Sequence, residues 1–119
     1  MCGIFGVVNL DGLTNIDGLT LRSMGNAIRH RGPDDEGYVG WSHRTGLMLN
    51  YVGPDSADSS SIGQFISNNI VETAFSGNIA FGHRRLSILD VSFAGHQPMS
   101  YLKERYCITY NGEIYNYVE

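Results

Sequence analysis

Met1-Cys2-Gly3-Ile4-Phe5-Gly6-Val7-Val8 opens the chain with a cysteine directly behind the initiator methionine, ahead of a short apolar run that ends in two β-branched residues. The turn-prone Asn9-Leu10-Asp11-Gly12 closes that run, so it reads as a buried first strand whose two glycines allow close backbone approach. Removal of Met1 would leave Cys2 with a free α-amino group beside its thiol. An α-amine titrates near ~7.7 to 8.0 and a thiol near ~8.5, so one residue would then carry both a nucleophile and its base. The plainer reading of a cysteine at a strand start is a small core hydrophobe.

Working outward, the helical period takes over after Asp17. Leu21, Met24, Ala27 and Ile28 recur at helical spacing, Asp17 can cap the start, and Pro33 forbids continuation, which predicts a helix ending near Arg29. The charged loop RHRGPDDEG (29–37) follows, with Gly32 and Pro33 fixing its turn. YVGW (38–41) and GLMLNY (46–51) read as strands joined by the polar turn Ser42 to Thr45, a hairpin. Between Gly53 and Gly77 the composition turns polar and serine-rich, which predicts an exposed loop or a strand-bearing insertion. IAFGHRRLSILD (79–90) resumes the sheet pattern, RYCITY (105–110) predicts a further strand, and NGEIYNYVE (111–119) looks like the start of a helix.

Bulk properties narrow the function. The chain has 119 residues, 42% of them hydrophobic, which is enough for one ordinary core and no more than one domain. Twelve acidic against eight basic residues provide no basic stripe for nucleic acid. The apolar run Gly3 to Val8 is far shorter than the ~20 residues of a membrane span and lacks a basic leader, so no membrane role and a cytoplasmic location are expected. Cys2 and Cys107 form neither a disulfide framework nor a CxxC pair, and His30, His43, His83 and His96 lack metal-ligand spacing. No metal site is expected.

Two further stretches carry chemistry. In GHRRLSILD (82–90), side chains alternate across the strand, so Arg84 and Arg85 should face opposite ways, with His83 and Arg85 sharing one face. One arginine can enter a pocket and hold a carboxylate by two parallel hydrogen bonds while the other pairs at the surface. The alternative is two solvated arginines on an edge strand. In YNGEIYN (110–116), Asn-Gly is first a turn signal; alternatively, the Asn111 side-chain amide and the Gly112 N–H could form an oxyanion hole for acyl transfer.

MCGIFGVV, RHRGPDDEG, GHRRLSILD, HQPM and NGEIYN, in this order from Cys2 to Asn116, resemble the glutaminase domain of class II glutamine amidotransferases in the asparagine synthetase branch. The resemblance implies an α+β fold of the N-terminal nucleophile hydrolase type: a four-layer αββα sandwich of antiparallel sheets, incomplete in this chain. It implies that Met1 is removed, that the Cys2 thiolate attacks the side-chain amide of L-glutamine, and that the α-amino group serves as base and then as acid. Arg85 matches the residue that grips the glutamine α-carboxylate, with the backbone groups of Leu86, Ser87, Ile88 and Leu89 lining the same site. Asn111 and Gly112 match the oxyanion hole, Glu113 contacts the bound glutamine, and Arg29 to Asp34 have a positioning role.

A Gly-Ser-Asp motif that holds the glutamine α-amino group in the family has no counterpart here. Residues 1–119 are therefore expected to be a partial glutamine amidotransferase domain of little or no activity by itself. The remainder of the domain and a C-terminal synthetase domain would lie elsewhere in the parent. There ATP and Mg2+ would activate aspartate, no cofactor being expected in this segment, and the parent could form a homodimer. Three other readings are a relative with a different carboxylate acceptor, a non-catalytic binding or regulatory module of the same fold, and a papain-like hydrolase pairing Cys2 with a histidine such as His83.

Overall fold

The computed structural model describes residues 1–56, 66–69 and 77–116. Its elements, in chain order, are β1 (Gly3–Val8), α1 (Gly18–Ala27), β2 (Asp35–Trp41), β3 (Met48–Val52), β4 (Ile66–Asn69), β5 (Ile79–Arg85), β6 (Met99–Tyr101) and β7 (Tyr106–Ile108). Short 3₁₀ turns cover Arg29–Arg31 and Phe93–Gly95. The first five strands form one sheet in the order β1-β5-β2-β3-β4, antiparallel except for the β3–β4 pair. Strands β6 and β7 pair antiparallel as a second, two-stranded sheet.

Local chemistry accounts for the elements. The Asp17 carboxylate accepts the N–H groups of Leu19 and Thr20, satisfying two donors that a helix start otherwise leaves open. Helix α1 stops at Ala27, and the chain tightens into the Arg29–Arg31 turn before Pro33, two residues short of the end expected from periodicity. Ser42 to Thr45 closes the β2–β3 hairpin as predicted, with Ser42 and Leu47 bonded across it.

Register fixes two faces. Gly3, Phe5 and Val7 of β1 lie beside Arg84, Gly82 and Ala80 of β5, then Glu36, Tyr38 and Gly40 of β2, then Tyr51 and Leu49 of β3. Helix α1 covers this face, and Ile16, Leu21, Tyr38, Tyr51 and Ala80 are the buried heart of the core. Each such large apolar side chain contributes roughly 1.5–3 kcal/mol by leaving water. The Phe5 ring lies across Gly82, where a Cβ would stand 2.1 Å from the ring, and meets Tyr38 edge-on with centroids 5.9 Å apart. Glycine at 82 is what lets the two rings meet over the sheet.

On the opposite face lie His83, Phe81 and Ile79 of β5, flanked by Asp35, Val39 and Trp41 of β2 and by Met48 of β3. The β6–β7 hairpin reaches over this face, leaving an apolar recess of about 320 Å³ lined by Val39, Trp41, Met48, Phe81 and Cys107. Burial pushes the Cys107 thiol up to about 11. The order of layers is thus helix, large sheet, small sheet: an α+β architecture with antiparallel sheets.

Two expectations change, and a third is decided between its two alternatives. Strand β1 is an edge strand, not a buried one: Ile4 and Val8 on its outer face are half exposed. An apolar run with a glycine on each face looks uniformly buried in sequence, yet only one face of it is covered. Residues 111–116 form a bend and a turn instead of a helix and are largely exposed, a single turn being marginal by itself, and residues 117–119 lie outside the described residues. The stretch from Gly53 to Gly77 is strand-bearing, since it contributes β4, and its other parts at 57–65 and 70–76 lie outside the described residues. Among the described residues no helix is long and apolar enough to cross a membrane.

Candidate active site

Gly3 stands opposite Arg84 in the β1–β5 ladder, so Cys2, one residue before β1, meets the end of β5. The Leu86 N–H donates to the Cys2 Sγ at 3.3 Å, and the thiol lies 3.8 Å from the Leu86 carbonyl oxygen. The Arg31 Nε donates to the Cys2 carbonyl at 3.3 Å. Cys2 is half-buried, and its sulfur is held by a main-chain donor.

The two arginines face opposite ways, as alternation requires, but neither lies on the surface. Arg84 is wholly buried under α1: its Nε donates to the Gly32 carbonyl, Nη1 to Glu36 at 2.6 Å and Nη2 to Asp55 at 2.8 Å. Arg22 also reaches the Glu36 carboxylate, as do the Tyr38 hydroxyl and the Asp55 N–H. This corrects the expectation of a surface pair. A guanidinium enters the interior only when every charge there is matched, and Glu36 and Asp55 supply the match.

Arg85 lies on the other face with His83. Its Nη1 donates to the Ser92 carbonyl at 2.6 Å and its Nη2 to the Asp90 carbonyl, so the loop after β5 folds back on the guanidinium. The Asp34 N–H donates to the Arg85 carbonyl, and the Asp34 carboxylate accepts the Ser87 N–H at 2.8 Å. A recess of about 70 Å³ opens here, lined by Asp34, Asp35, Arg85, Ser87, Val91 and Phe93. Of the four residues expected to line a pocket, Leu86 touches the thiol and Ser87 is tied to Asp34. Ile88 and Leu89 project into solvent at 74% and 84% exposure.

The third element arrives through Tyr110. The His83 Nε2 lies 3.2 Å from the Tyr110 carbonyl, and the Tyr110 N–H donates to the Gln97 side chain at 2.6 Å. Asn111 follows at once, half-buried, with Gly112 and Glu113 exposed. Among the described residues, neither the Asn111 amide nor the Gly112 N–H donates a hydrogen bond. The Glu113 carbonyl accepts from the Tyr110 hydroxyl. Cys2, Arg85 and the start of NGEIYN are therefore brought to the same end of β5.

Sequence reasoning missed the anchors beneath this site. Asp35 and His96 meet at 2.7 Å, joining the RHRGPDDEG loop to HQPM, and the His96 ring stacks on Phe93. Burial raises the Asp35 carboxyl, but the His96 contact, the Ser56 hydroxyl and the Glu36 N–H outweigh it and hold the carboxyl below its ordinary range. Burial also holds the His83 imidazole below its ordinary value. The available signal was the run Asp34-Asp35-Glu36: three adjacent acids need three partners, and Ser87, His96 and Arg84 provide them. Among the described residues, no cluster of three or more His, Cys, Asp or Glu could hold a metal ion.

Comparison with known proteins places this geometry in context. A family model described as a glutamine amidotransferase domain matches residues 68–119. Asparagine synthetase [glutamine-hydrolyzing] 1 of Bacillus subtilis is 36% identical over 121 residues, covering all of this chain and 13% of that protein. A putative asparagine synthetase [glutamine-hydrolyzing] 2 of Methanocaldococcus jannaschii is 32% identical over 133 residues, covering all of this chain and 19% of its own length. Asparagine synthetase [glutamine-hydrolyzing] 1 of Lotus japonicus is 27% identical across all of this chain and 14% of that protein. The chain thus spans less than a fifth of these relatives. No solved structure matches it.

Proposed function

Along its whole length this chain is homologous to the glutamine-hydrolysing asparagine synthetases, and from that kinship we propose that Cys2, freed of Met1, hydrolyses the side-chain amide of L-glutamine. The observation that carries the reading is the seat of the thiol: Cys2 Sγ rests against the Leu86 N–H at the end of the strand that presents Arg85.

In the proposed reaction the α-amino group of Cys2 takes the thiol proton, and the thiolate attacks the amide carbon. The carbonyl oxygen gains the negative charge, for which the Asn111 amide and the Gly112 N–H are the donors. The C–N bond breaks as the ammonium returns its proton to the leaving nitrogen, giving ammonia and a thioester. The amine then takes a proton from water, the hydroxide adds to the thioester, and the C–S bond breaks to release glutamate and restore the thiol. Arg85 holds the α-carboxylate by exchanging its bonds to the Asp90 and Ser92 carbonyls for two to the substrate, and Leu86 to Leu89 and Glu113 line the approach.

The same reading makes residues 1–119 part of an N-terminal nucleophile hydrolase domain whose four-layer sandwich other segments complete. The ammonia would pass to a synthetase domain of the parent, where ATP and Mg2+ would serve to activate the carboxylate of aspartate. A homodimer of the parent belongs to this reading, as does a relative with another acceptor.

The test is intact mass of the full-length parent protein after exposure to 6-diazo-5-oxo-L-norleucine, a glutamine-like alkylating agent, with peptide mapping of the adduct. Loss of Met1 and a single adduct on Cys2 support the reading. A retained Met1 with no adduct overturns it in favour of a non-catalytic module, which one observation favours: both ends of the Arg85 guanidinium are already occupied by main-chain carbonyls.

A further inference from the structure

His83 sits on the same face of β5 as Arg85, two residues nearer the strand centre, and is 1% exposed. No step of the proposed reaction uses it. Its Nε2 lies 3.2 Å from the carbonyl of Tyr110, the residue immediately before Asn111.

We propose that His83 is a positioning residue: its Nε2–H holds the Tyr110 carbonyl and thereby sets the Asn111 amide and the Gly112 N–H at the place where the oxyanion develops. The inference rests on the glutaminase reading and adds to it the element that fixes the oxyanion donors.

Three observations carry it. First, the 110–116 stretch has little else to hold it: Asn111 to Asn116 lie outside any helix or strand, and five of the six are exposed. Second, the Tyr110 main chain is pinned at both polar atoms, its carbonyl by His83 and its N–H by the Gln97 side chain at 2.6 Å. A peptide tied on both sides transmits its orientation to the next residue, and the next residue is Asn111. Third, the chemistry of the contact decides the tautomer. A carbonyl can only accept, so the ring nitrogen facing it must carry the proton. Burial is the main influence that holds the imidazole below its ordinary value, against the pull of the Tyr110 carbonyl, and this makes the ring neutral at pH 7 with its single proton on Nε2. Such a ring donates one directed bond and adds no charge beside the thiol.

The role differs from that of a general base. A base must reach the thiol, whereas His83 reaches Tyr110. Displacing an oxyanion donor by a fraction of its bond length weakens the transition state and leaves ground-state binding, which Arg85 governs, unchanged. The mark of this role is therefore a loss in kcat without a matching rise in KM.

The experiment uses the full-length protein bearing this sequence, its glutaminase activity, and long-range ¹H–¹⁵N correlation spectra of its histidines. In the unmodified protein the His83 ring should show the Nε2–H tautomer. His83→Phe should lower kcat about 10²-fold, the loss associated with a misplaced catalytic group, with KM for glutamine within about twofold. His83→Gln, whose amide nitrogen falls near the position of Nε2, should recover most of that loss. An Nδ1–H tautomer, an unchanged kcat in His83→Phe, or a raised KM with kcat intact would each overturn the proposal. Should His83→Phe fail to fold, the tautomer and the His83→Gln kinetics decide it. Absence of Cys2 alkylation and of glutamine hydrolysis in the unmodified protein overturns the glutaminase reading and this inference with it. Alkylation at Cys2 with unaltered kcat in the variant overturns the positioning role alone.

Discussion

Replacing Arg84 with methionine tests whether the buried charges hold the site's foundation. Methionine fills similar apolar volume but removes three donors: those to the Gly32 carbonyl, to Glu36 and to Asp55. Glu36 is completely buried, so its carboxylate would be left with Arg22, the Tyr38 hydroxyl and the Asp55 N–H. Removing one partner of a buried pair costs about 3–5 kcal/mol. The remaining donors keep Glu36 from isolation, which places the loss at the lower end, about 3 kcal/mol. Arg29→Met is the control. Arg29 also pairs with Asp55, at 2.7 Å, but its side chain is 59% exposed, and such a pair contributes at most ~1 kcal/mol. With a urea slope of roughly 2 kcal/mol/M, the unfolding midpoint should fall by about 1.5 M for Arg84→Met and by under ~0.5 M for Arg29→Met. Circular dichroism through a urea series at pH 7 reads both. Equal shifts in the two variants would refute the claim that burial, and not ion pairing as such, gives Arg84 its weight.

Other substitutions probe the neighbouring contacts. Asp35 has its folded-state carboxyl held below the unfolded value of ~3.9, so its contribution is complete above that value and is lost as pH falls through the lower folded one. Asp35→Asn should lower the urea midpoint at pH 7 and flatten its decline below pH ~4; an equally steep acid limb would contradict the Asp35–His96 contact. Gly32→Ala would place a Cβ 2.3 Å from the Arg84 carbonyl group and 2.6 Å from the Arg85 N, so the main chain must shift, at about 1–3 kcal/mol by the same urea assay. Arg85→Met should raise the 6-diazo-5-oxo-L-norleucine concentration needed for half-labelling of Cys2 by about 10- to 100-fold, the worth of a charged hydrogen bond, while Cys2 remains alkylable by iodoacetamide.

Local features could be read from sequence because their causes are local. The Asp17 cap, the Ser42 to Thr45 turn and the alternation of Arg84 with Arg85 each depend on a few adjacent residues. Alternation, however, says only that two neighbours face opposite ways. Which arginine is sealed depends on Glu36 and Asp55, 48 and 29 residues earlier, and no pattern within β5 encodes them. The Asp35–His96 contact spans 61 residues and escaped notice for the same reason. At the site, the motifs and their order were legible, whereas the bond from Leu86 to the thiol and the tie between His83 and Tyr110 exist only after the strands have paired. The edge position of β1 was hidden because strand order is a property of the sheet, not of its first strand.

The two faces of β5 explain why residues so far apart in sequence can act together. A strand that carries one arginine into the core and the next onto the opposite face links the two mechanically, because moving either side chain means moving the same main chain. Glu36 pairs with Arg84 in the β2–β5 ladder and Asp35 with Arg85, so the adjacent acids repeat the alternation on the neighbouring strand. Glu36 seals the core face, while Asp35 ties His96 and with it the loop that folds over Arg85. Cys2 enters by the same logic, one residue beyond Gly3, which lies opposite Arg84. A rigid ladder thus presents reactive groups on the loops at its end, where they can be approached without disturbing the charges beneath. The acidic run, the arginine pair and the N-terminal cysteine then form a single construction, with its sealed side under α1 and its open side toward Asn111.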